Sequence, residues 1–564
     1  MQAIALPVTL LAALGVVPGV TGPLVTGLLV TGPLVARAAP DVTYFFPGGG
    51  QRGSTVEVTV GGSFPDWPVR VWASDPQVSV TPLEEKGKLT VEIGPAAVTG
   101  LVWLRLYDKQ GAAAPRPWMI GAVAEVSEEE PNDRAVAAQH VSHEGDSLQT
   151  ITVNGRLQSE GDADVYSLSA RGGQTLVADL DAHATGASAF DGVLQVLDPD
   201  GFVLAHNDDY RKLDPHLAVE IPTDGRWMVR VFGFPETPGQ QVQLAGNESY
   251  VYRLTLSTGP VVNYAMPLAA RRDVPNRWQL VGWNLTDDLR EISLTPPHES
   301  ALLVLSDDRF GRTIRLPVVD CPLLVESEPN SVAEPTKIDL PVNITGRLDT
   351  PGDHDVFQFD AVKGETVLIE IESRELGYPL DSVLELLDAS DKRLARVDDV
   401  AEQRDARIAH QVQEDGPLRV VVSDLFDQSG IDFVYRLSLE RAKPSFRLAT
   451  EFHQAVVKAG ETTDLTITVE RSHGFADPIE VRVEGLPDGV SASPATSKVG
   501  EGSDTAAKVV ITLAAAKDAA AASAPIHIFG GAESDDASTA AHFAVPGHPT
   551  GLRDLWLTVT PPSD

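Results

Sequence analysis

Cysteine is almost absent from this chain of 564 residues. The single thiol, Cys321, cannot form an internal disulfide, and one cysteine cannot build a zinc site of the multi-cysteine kind. No family-specific cysteine motif surrounds it, so we expect a small buried apolar residue rather than a reactive thiol.

Positive charge is also scarce. Lys and Arg number 44 against 80 Asp and Glu, which gives a formal net charge of -36. No block rich in Lys or Arg stands out, so nucleic acid and anionic membrane surfaces are not expected as partners. The acidic excess favours solubility and suits the binding of cations.

Long apolar runs are confined to the N-terminus, and no later segment reaches the roughly 20 residues needed to span a bilayer. The first 35 residues are apolar, carry the five-residue repeat TGPLV-TGLLV-TGPLV, and are followed by Ala-Arg-Ala, an A-x-A cleavage pattern. This resembles a secretory signal, although it is longer than usual and has no positive start. We therefore predict a signal peptide or N-terminal anchor at residues 1–38 and a secreted, periplasmic or cell-surface protein.

Catalytic motifs are missing as well. The chain has no H-E-x-x-H helix motif, no G-x-S-x-G elbow and no phosphate-binding G-x-x-x-x-G-K-[ST] loop. Paired carboxylates could serve a glycosidase, but that chemistry needs a cleft between elements. The sequence therefore predicts that the protein is not an enzyme.

Internal repetition is what the sequence has in abundance. The second occurrence of each motif follows the first at a displacement that drifts from 198 to 183 residues, so one module occurs twice. The pairs are EPND (130–133) and EPNS (328–331), NGRL (154–157) and TGRL (345–348), GDADVYSL (161–168) and GDHDVFQF (352–359), FDGVLQVLD (190–198) and LDSVLELLD (380–388), and YRLTL (252–256) and YRLSL (435–439).

A second, weaker repeat precedes each copy at a constant displacement of 220 residues. It pairs Tyr44 with Tyr264, Pro47 with Pro267, Arg52 with Arg272 and Gly62 with Gly282. The predicted plan after the N-terminal segment is therefore module A1 (39–123), module B1 (124–258), a shorter module A2 (259–322), module B2 (323–441) and a different module C (442–564).

Every module has the pattern of β-strands. Stretches such as STVEVTVGG, ETVLIEIES and DLTITVERS alternate apolar and polar residues or are β-branched, and Gly, Pro and Asp turns separate them. The Ala-rich run at 514–522 has helical propensity, but Pro525 and Gly530 follow soon, and we predict a loop between strands. The expected fold is all-β, as tandem jelly-roll-like and immunoglobulin-like β-sandwiches.

The order of motifs in B1 and B2 resembles the bacterial pre-peptidase C-terminal domain. The shared pattern runs E-x-E-P-N, G-x-L, G-D-x-D-x-[YF], D-x-x-L-x-L-x-D, Asp-Asp, D-G and Y-x-L, and covers about 128–257 and 326–441. The resemblance implies a jelly-roll-like β-sandwich that is appended to secreted proteases and other exported proteins. It also implies removal by cleavage or a role in substrate binding, and calcium binding in some members.

The A modules resemble short immunoglobulin-like domains of the IPT/TIG type, through P-x-G-G-x-x-G-x-x-V-x-V-x-V-G at 47–61. Module A2 has Leu268, Ala269, Ala270 and Asp273 in place of those glycines, so we expect its turn to be built differently. Module C is similar to immunoglobulin-like modules of bacterial surface proteins.

Each copy of the B module carries an Asp-x-Asp pair at the head of an apolar strand. Residues i and i+2 of a strand share a face, so the acids are expected on the same side as the aromatic residue that follows them. A carboxylate on the core side must be hydrogen-bonded, paired or bound to a metal. The pairs are Asp162 with Asp164 and Asp353 with Asp355.

Three interpretations of these pairs remain open. The acids could accept backbone N–H groups in turns, or pair with Arg156 and Arg347, which recur at one offset. They could also bind Ca²⁺, which takes six to eight oxygen ligands. In the calcium interpretation the ligands are Glu130, Asn132, Asp162 and Asp164 in B1, and Glu328, Asn330, Asp353 and Asp355 in B2.

The sequence favours a non-catalytic exported binding or adhesion protein that recognises a polysaccharide or an envelope or matrix protein. The alternatives are a structural envelope spacer and an accessory or targeting subunit of a separate secreted peptidase or other hydrolase. Sugar rings could stack on tryptophans, whose ordinary role is core packing; the residues considered are Trp67, Trp72, Trp118, Trp227 and Trp283.

Overall fold

In the computed structural model, nearly all of the regular secondary structure is β-strand, which confirms the predicted fold class. Two short 3₁₀ helices occur among the described residues, Ala135–Ala137 and Asp287–Leu289. No helix among the described residues is long and apolar enough to cross a membrane. The described residues are 38–142, 149–183, 186–235, 243–298, 300–398, 405–500, 505–532, 538–545 and 548–562, so the predicted signal peptide or anchor falls outside them up to residue 37.

Module A1 is a sandwich of two four-stranded sheets, in the orders β1-β3-β6-β5 and β2-β8-β7-β4. Alternate residues of its strands point inward, and Val58, Leu89 and Leu106 are completely buried between the sheets. The strands are β1 (Asp41–Phe46), β2 (Gly49–Gln51), β3 (Thr55–Ser63), β4 (Arg70–Ala73), β5 (Val78–Pro82), β6 (Lys88–Ile93), β7 (Gly100–Tyr107) and β8 (Arg116–Gly121).

Module B1 consists of two five-stranded sheets, in the orders β10-β12-β17-β14-β15 and β16-β13-β18-β11-β9. One hydrophobic core lies between them. The strands are β9 (Ala124–Ser127), β10 (Gln139–His140), β11 (Thr150–Arg156), β12 (Asp164–Ala170), β13 (Thr175–Asp181), β14 (Phe190–Leu197), β15 (Val203–Asn207), β16 (His216–Glu220), β17 (Gly225–Pro235) and β18 (Val251–Ser257).

Module A2 repeats A1 without the strands that correspond to the edge strands β4 and β5, which accounts for its shorter length. Its sheets run β19-β21-β22 and β20-β24-β23. The first strand pair is irregular at the same place in both modules, between Val42 and Tyr44 in A1 and between Val262 and Tyr264 in A2. The strands are β19 (Val261–Met266), β20 (Ala270–Arg271), β21 (Asn276–Trp283), β22 (Glu291–Leu294), β23 (Leu302–Leu305) and β24 (Ile314–Val319).

The expectation that A2 builds its first turn differently is wrong. Gly53 has a φ of 79° in A1, and Asp273 adopts the same left-handed conformation in A2 with a φ of 57°. Asp is one of the few residues that tolerate this region. The side chain of Asp273 also accepts a hydrogen bond from Nδ1 of His298 at 2.8 Å, so an aspartate replaces the glycine within the same turn.

Within the residues that the structure describes, module B2 has ten strands in the same two sheet orders as B1, β26-β28-β33-β30-β31 and β32-β29-β34-β27-β25. The two B modules therefore share topology strand for strand. The strands are β25 (Leu323–Val325), β26 (Thr336–Lys337), β27 (Val342–Arg347), β28 (Asp355–Ala361), β29 (Thr366–Glu372), β30 (Ser382–Leu387), β31 (Arg393–Val397), β32 (Arg407–Gln411), β33 (Gly416–Asp424) and β34 (Val434–Arg441).

The described part of module C has eleven strands around a single core. Its long strand β42 pairs with β45 through its first half and with β38 and β43 through its second half. The predicted loop is confirmed for 516–521 and wrong for the ends of the run, because Ala514 and Ala515 end β41 and Ala522 begins β42. The strands are β35 (Ser445–Thr450), β36 (Gln454–Lys458), β37 (Thr462–Ser472), β38 (Ile479–Glu484), β39 (Val490–Ala492), β40 (Ala495–Ser497), β41 (Lys508–Ala515), β42 (Ala522–Ala532), β43 (Ser538–Val545), β44 (His548–Leu552) and β45 (Leu555–Thr560).

Candidate metal centre

The second acid of each Asp-x-Asp pair begins a core strand. Asp164 opens β12 and Asp355 opens β28, and both side chains are completely buried. Tyr166, which shares the face of Asp164, belongs to the hydrophobic core of B1, and Phe357 takes the same place in B2. Each strand thus places a carboxyl group at the end of an apolar layer, where the group needs a polar partner.

All eight predicted site residues come together in two clusters, one in each B module. In B1 the ligand oxygens of Glu130, Asp162 and Asp164 lie within 4.8 Å of one another. The side-chain amide of Asn132 lies 2.9 Å from Oδ1 of Asp164 and 3.2 Å from Oε2 of Glu130. With its nitrogen inward this amide donates to both carboxylates, and with its oxygen inward it adds a ligand for a cation.

The cluster in B2 repeats this arrangement. The ligand oxygens of Glu328, Asp353 and Asp355 lie within 4.8 Å of one another. Asn330 is buried, and its backbone N–H donates to Oε2 of Glu328 at 3.1 Å. Its side-chain Oδ1 has no hydrogen-bond partner.

The turn interpretation is confirmed for the leading acid of each pair. Oδ2 of Asp162 accepts the backbone N–H of Gln158 at 2.6 Å, and Oδ2 of Asp353 accepts the backbone N–H of Asp349 at 2.8 Å. Both bonds span four residues and close the turn before the strand. The leading acids therefore have a structural role whatever else they bind.

The second interpretation, a pairing of these acids with arginine, is not found among the described residues. The guanidinium of Arg156 lies 4.7 Å from the ring centroid of Phe46 in A1. Arg347 instead forms an ion pair with Asp349. Among the described residues, no ion pair joins a basic side chain to any of the eight predicted ligands, because both arginines point toward the A modules.

Sequence reasoning missed the tyrosine that supports each buried aspartate. Tyr252 donates its hydroxyl to Oδ2 of Asp164, and Tyr435 donates to Oδ2 of Asp355, each at 2.5 Å. In B1 a second tyrosine, Tyr166, extends the chain, with 2.6 Å between its hydroxyl and that of Tyr252. The recurrence of Y-x-L in both copies was the signal that could have identified these donors.

A glycine makes room for each of these tyrosines. Gly155 pairs with Tyr252 across β11 and β18, and Gly346 pairs with Tyr435 across β27 and β34. A Cβ atom on Gly155 would lie 2.2 Å from the tyrosine ring, and one on Gly346 would lie 2.2 Å from the tyrosine hydroxyl. The glycine of each G-R-L motif is therefore required by the approach of the ring to the backbone.

A fourth carboxylate was also missed in each cluster. It is the first glutamate of E-x-E-P-N, which accepts a backbone N–H from the arginine described above. In B1 the backbone N–H of Arg156 donates to Glu128 at 2.6 Å, and in B2 that of Arg347 donates to Glu326. The other carboxyl oxygen of Glu128 is buried and has no partner. Only the second glutamate of the motif was predicted as a ligand, although both recur at the same displacement.

Burial raises the pKa of the most deeply buried carboxyl groups of these clusters. Desolvation and the nearby charge of Glu128 raise the pKa of Asp164 to about 9. Desolvation raises the pKa of Glu128 itself to about 8. In B2, burial raises the pKa of both Glu326 and Asp355, and the nearby charge of Asp355 raises the pKa of Glu326 further. Each cluster therefore takes up protons at neutral pH unless a cation is bound.

The ligand chemistry of the clusters suits a hard cation. Each offers four carboxylates and one amide oxygen, and neither contains a histidine or a cysteine. Oxygen ligands of this number match calcium, whereas zinc prefers nitrogen and sulfur. Oδ1 of Asp355 and Oε1 of Glu128 are buried oxygens without a partner that a cation would satisfy.

The single thiol is not placed for reactivity. Cys321 lies at the end of A2 and is half-buried rather than buried as expected, and desolvation raises the pKa of its thiol. Nucleophilic cysteines require the opposite shift.

Comparison with known proteins finds a family model that matches part of module B1. Residues 162–233 match the model of the bacterial pre-peptidase C-terminal domain, a segment that includes Asp162 and Asp164. The Deinococcus radiodurans protein named "Probable subtilase-type serine protease DR_A0283" is 28% identical over 145 residues. That match covers 26% of this chain and 18% of the relative, so the chain spans less than a fifth of the curated protein that it matches.

Solved structures with local similarity include the pre-peptidase C-terminal domain of a Bacillus anthracis collagenase. It is 20% identical, covers 19% of this chain and 93% of its own, and has a TM-score of 0.16. The fibronectin(III)-like modules of Clostridium thermocellum CbhA are 14% identical, cover 35% of this chain and 87% of their own, and have a TM-score of 0.13.

Proposed function

We propose that this protein is a non-catalytic, exported binding protein in which a calcium ion occupies each of the two clusters. The observation that carries the proposal is the convergence of three carboxylates and one amide on a fully buried aspartate, twice in one chain. The recurring motif order and the shared strand order further support B2 as a second pre-peptidase C-terminal-like domain. Module A1 is proposed as an IPT/TIG-like domain on its glycine motif, and A2 on the strand order that it shares with A1.

Calcium fits this site better than magnesium. Calcium accepts six to eight oxygens in flexible geometry, whereas magnesium keeps several waters in a strict octahedron. The ligands of B1 come from the E-x-E-P-N loop and from the start of β12, where Asp162 and Asp164 lie two residues apart. In the calcium-bound form the ion replaces the protons that burial otherwise holds on Asp164 and Glu128.

Each cluster also supports a joint between modules. Glu128 holds the backbone of Arg156, whose guanidinium packs on Phe46 of module A1. In the second repeat, Glu326 holds the backbone of Arg347, whose Nη1 lies 3.5 Å from the hydroxyl of Tyr264 in A2. An ion that orders the glutamate therefore orders the strand end that contacts the preceding module, and calcium makes the A–B joints stiffer.

The proposed partner is a polysaccharide or an envelope or matrix protein, bound by modules that are held in fixed order. The match to a subtilase-type relative favours a second candidate, an accessory subunit of a separate exported peptidase. Affinity purification of the tagged protein from the exported fraction separates the two. Enrichment of a peptidase supports the accessory role, and enrichment of cell-wall or matrix material supports the binding role.

Calcium titration by thermal shift tests the proposed ion. We expect the wild-type midpoint to rise with CaCl₂ and to fall with EDTA, and MgCl₂ to have a much smaller effect. The double variant Asp164→Asn, Asp355→Asn should lose the response. The control Asp200→Asn, at an exposed turn outside the clusters, should keep it. An unchanged wild-type midpoint in saturating calcium refutes the metal site.

A further inference from the structure

A cavity between modules A1 and C shares no residue with either cluster. It is partly open to solvent, has a volume of 440 Å³ and is lined by Trp67 and Tyr107 on the A1 side and by Ser523 on the C side. Sites for small ligands commonly measure about 300–1,000 Å³ and combine aromatic walls with a few polar groups. Of the tryptophans considered for sugar stacking, Trp118 and Trp227 are instead buried in module cores.

The aromatic walls of this cavity are held by contacts behind them. The indole N–H of Trp67 donates to the backbone oxygen of Leu83 at 2.9 Å. The ring of Tyr107 lies 4.7 Å from that of Trp556, and the indole N–H of Trp556 donates to Oγ of Ser523 at 2.8 Å. Both sides of the cavity therefore rest on Trp556, and the walls are preorganised for a ligand.

The two modules that form the cavity are docked by a buried arginine. Arg105 of A1 is completely buried and donates to the backbone oxygen of His453 in C at 3.0 Å. Its guanidinium lies 5.4 Å from the ring of Trp556 and 5.6 Å from the ring of Phe543. Because Trp556 also supports the cavity wall, docking of module C fixes the shape of the site.

The rim of the cavity carries both hydrogen-bond acceptors and donors. Asp66 lies 3.5 Å from Nζ of Lys109. Oδ1 of Asp108 accepts the backbone N–H of Gln110 at 2.7 Å, whereas its Oδ2 is buried without a hydrogen-bond partner. Arg70 is exposed at the same rim. The two acids and two bases cancel in charge, in contrast to the net -36 of the whole chain.

We infer that this cavity binds a neutral oligosaccharide, which deepens the proposed binding function and rests on it. A sugar ring has an apolar face of C–H groups that packs on Trp67 and Tyr107. Its hydroxyls both donate and accept, and so match a rim that offers Asp108 beside Arg70. The balanced rim and the acidic chain disfavour an anionic polymer, because like charges repel it.

Isothermal titration calorimetry on the full chain tests this inference. The probes are cellohexaose, xylohexaose, mannohexaose and chitohexaose, with hexagalacturonate as the anionic comparison. We expect at least one neutral hexaose to bind. Trp67→Ala should weaken its binding by about tenfold or more, which corresponds to a loss of about 1.4 kcal/mol or more in binding free energy. Arg70→Ala, which changes an exposed side chain, should weaken binding by about threefold and leave the thermal midpoint unchanged.

Trp283→Phe is the matched control, because Trp283 packs on His216 outside the cavity. Its affinity should equal that of the wild type. The inference is overturned if no neutral hexaose binds, if binding survives both Trp67→Ala and Arg70→Ala, or if hexagalacturonate binds more tightly than the neutral probes. Since calcium binding is measured separately, a negative sugar result with a normal calcium shift refutes this site and leaves the calcium proposal intact.

Discussion

Replacing Asp164 by Asn should have opposite effects on stability without and with calcium. Burial raises the pKa of this carboxyl group to about 9, so near neutral pH the metal-free folded module carries it protonated while the unfolded chain has it ionised. Uptake of that proton opposes folding. An amide keeps the shape, can still accept the hydroxyl of Tyr252 and needs no proton. With calcium the order reverses, because the ionised carboxylate is the ligand and the amide is a weaker one.

The size of this effect on the free energy of unfolding follows from the difference between the folded and unfolded pKa values of Asp164. An acid whose folded pKa is raised contributes stability that is fully present below its unfolded pKa and is lost as the pH rises toward the folded pKa. One such proton changes the free energy of unfolding by about 1.4 kcal/mol per pH unit, so Asp164 alone removes about 4 kcal/mol between pH 5 and 8. Calcium at one hundred times its dissociation constant adds about 2.7 kcal/mol to the wild type.

Hydrogen exchange of the full chain, read by mass spectrometry on peptides from β12, measures the effect locally. In EDTA, Asp164→Asn should protect β12 at the higher pH and flatten the pH dependence. In CaCl₂ it should leave β12 less protected than in the wild type. Asp355→Asn should change the protection of β28 instead, and Asp200→Asn should change the protection of neither strand. Equal destabilisation of β12 by Asp164→Asn in both buffers, or a wild-type pH dependence that calcium does not alter, refutes the reasoning.

Three further substitutions test other contacts. Gly155→Ala should lower the free energy of unfolding of B1 by about 1–3 kcal/mol in chemical denaturation, because the new methyl group displaces Tyr252; no loss would show that the ring is not held there. In the presence of calcium, Tyr435→Phe should lower the free energy of unfolding of B2 by about 2 kcal/mol, because it removes a hydrogen bond to a charged carboxylate. Hydrogen exchange of β28 measures this loss. Burial and the charge of Arg105 lower the pKa of His453 to about 4, so the stability that its neutral ring provides is present above about pH 6.5 and is lost as the pH falls toward 4. His453→Gln should remove this acid sensitivity from the thermal midpoint, and an unchanged acid limb would contradict it.

Much of the fold could be predicted because its determinants are local. Alternation of apolar and polar residues along short segments indicates strands, and turn residues mark their ends. The turn of A2 was the exception. Its glycines are absent, yet Asp273 adopts the conformation of Gly53, because tolerance of a positive φ is a property of more than one residue type. The predicted module boundaries stay predictions, although every sheet among the described residues lies within one predicted module.

The predicted ligands of each cluster could be named in advance because they lie in short recurring motifs. In B1 these motifs are EPN and G-D-x-D, and each contributes ligands that are adjacent or nearly so in sequence. Their tyrosine partner was not predicted, since Tyr252 is 88 residues from Asp164 and a strand pairing alone brings them together. The side chain of Arg156 points toward Phe46 of another module, and no pattern of residue spacing in the sequence indicates that contact.

By itself, the sequence determined that the chain is a string of β modules, that one module occurs twice and that each copy gathers acids at the head of a core strand. These are properties of periodicity and recurrence, which residues close in sequence can encode. Only the tertiary structure decided which acid closes a turn and which is buried, because burial depends on the strands packed around Asp164. It also decided that Trp67 faces a cavity while Trp118 lies in a core, since the cavity exists only where module C packs on module A1.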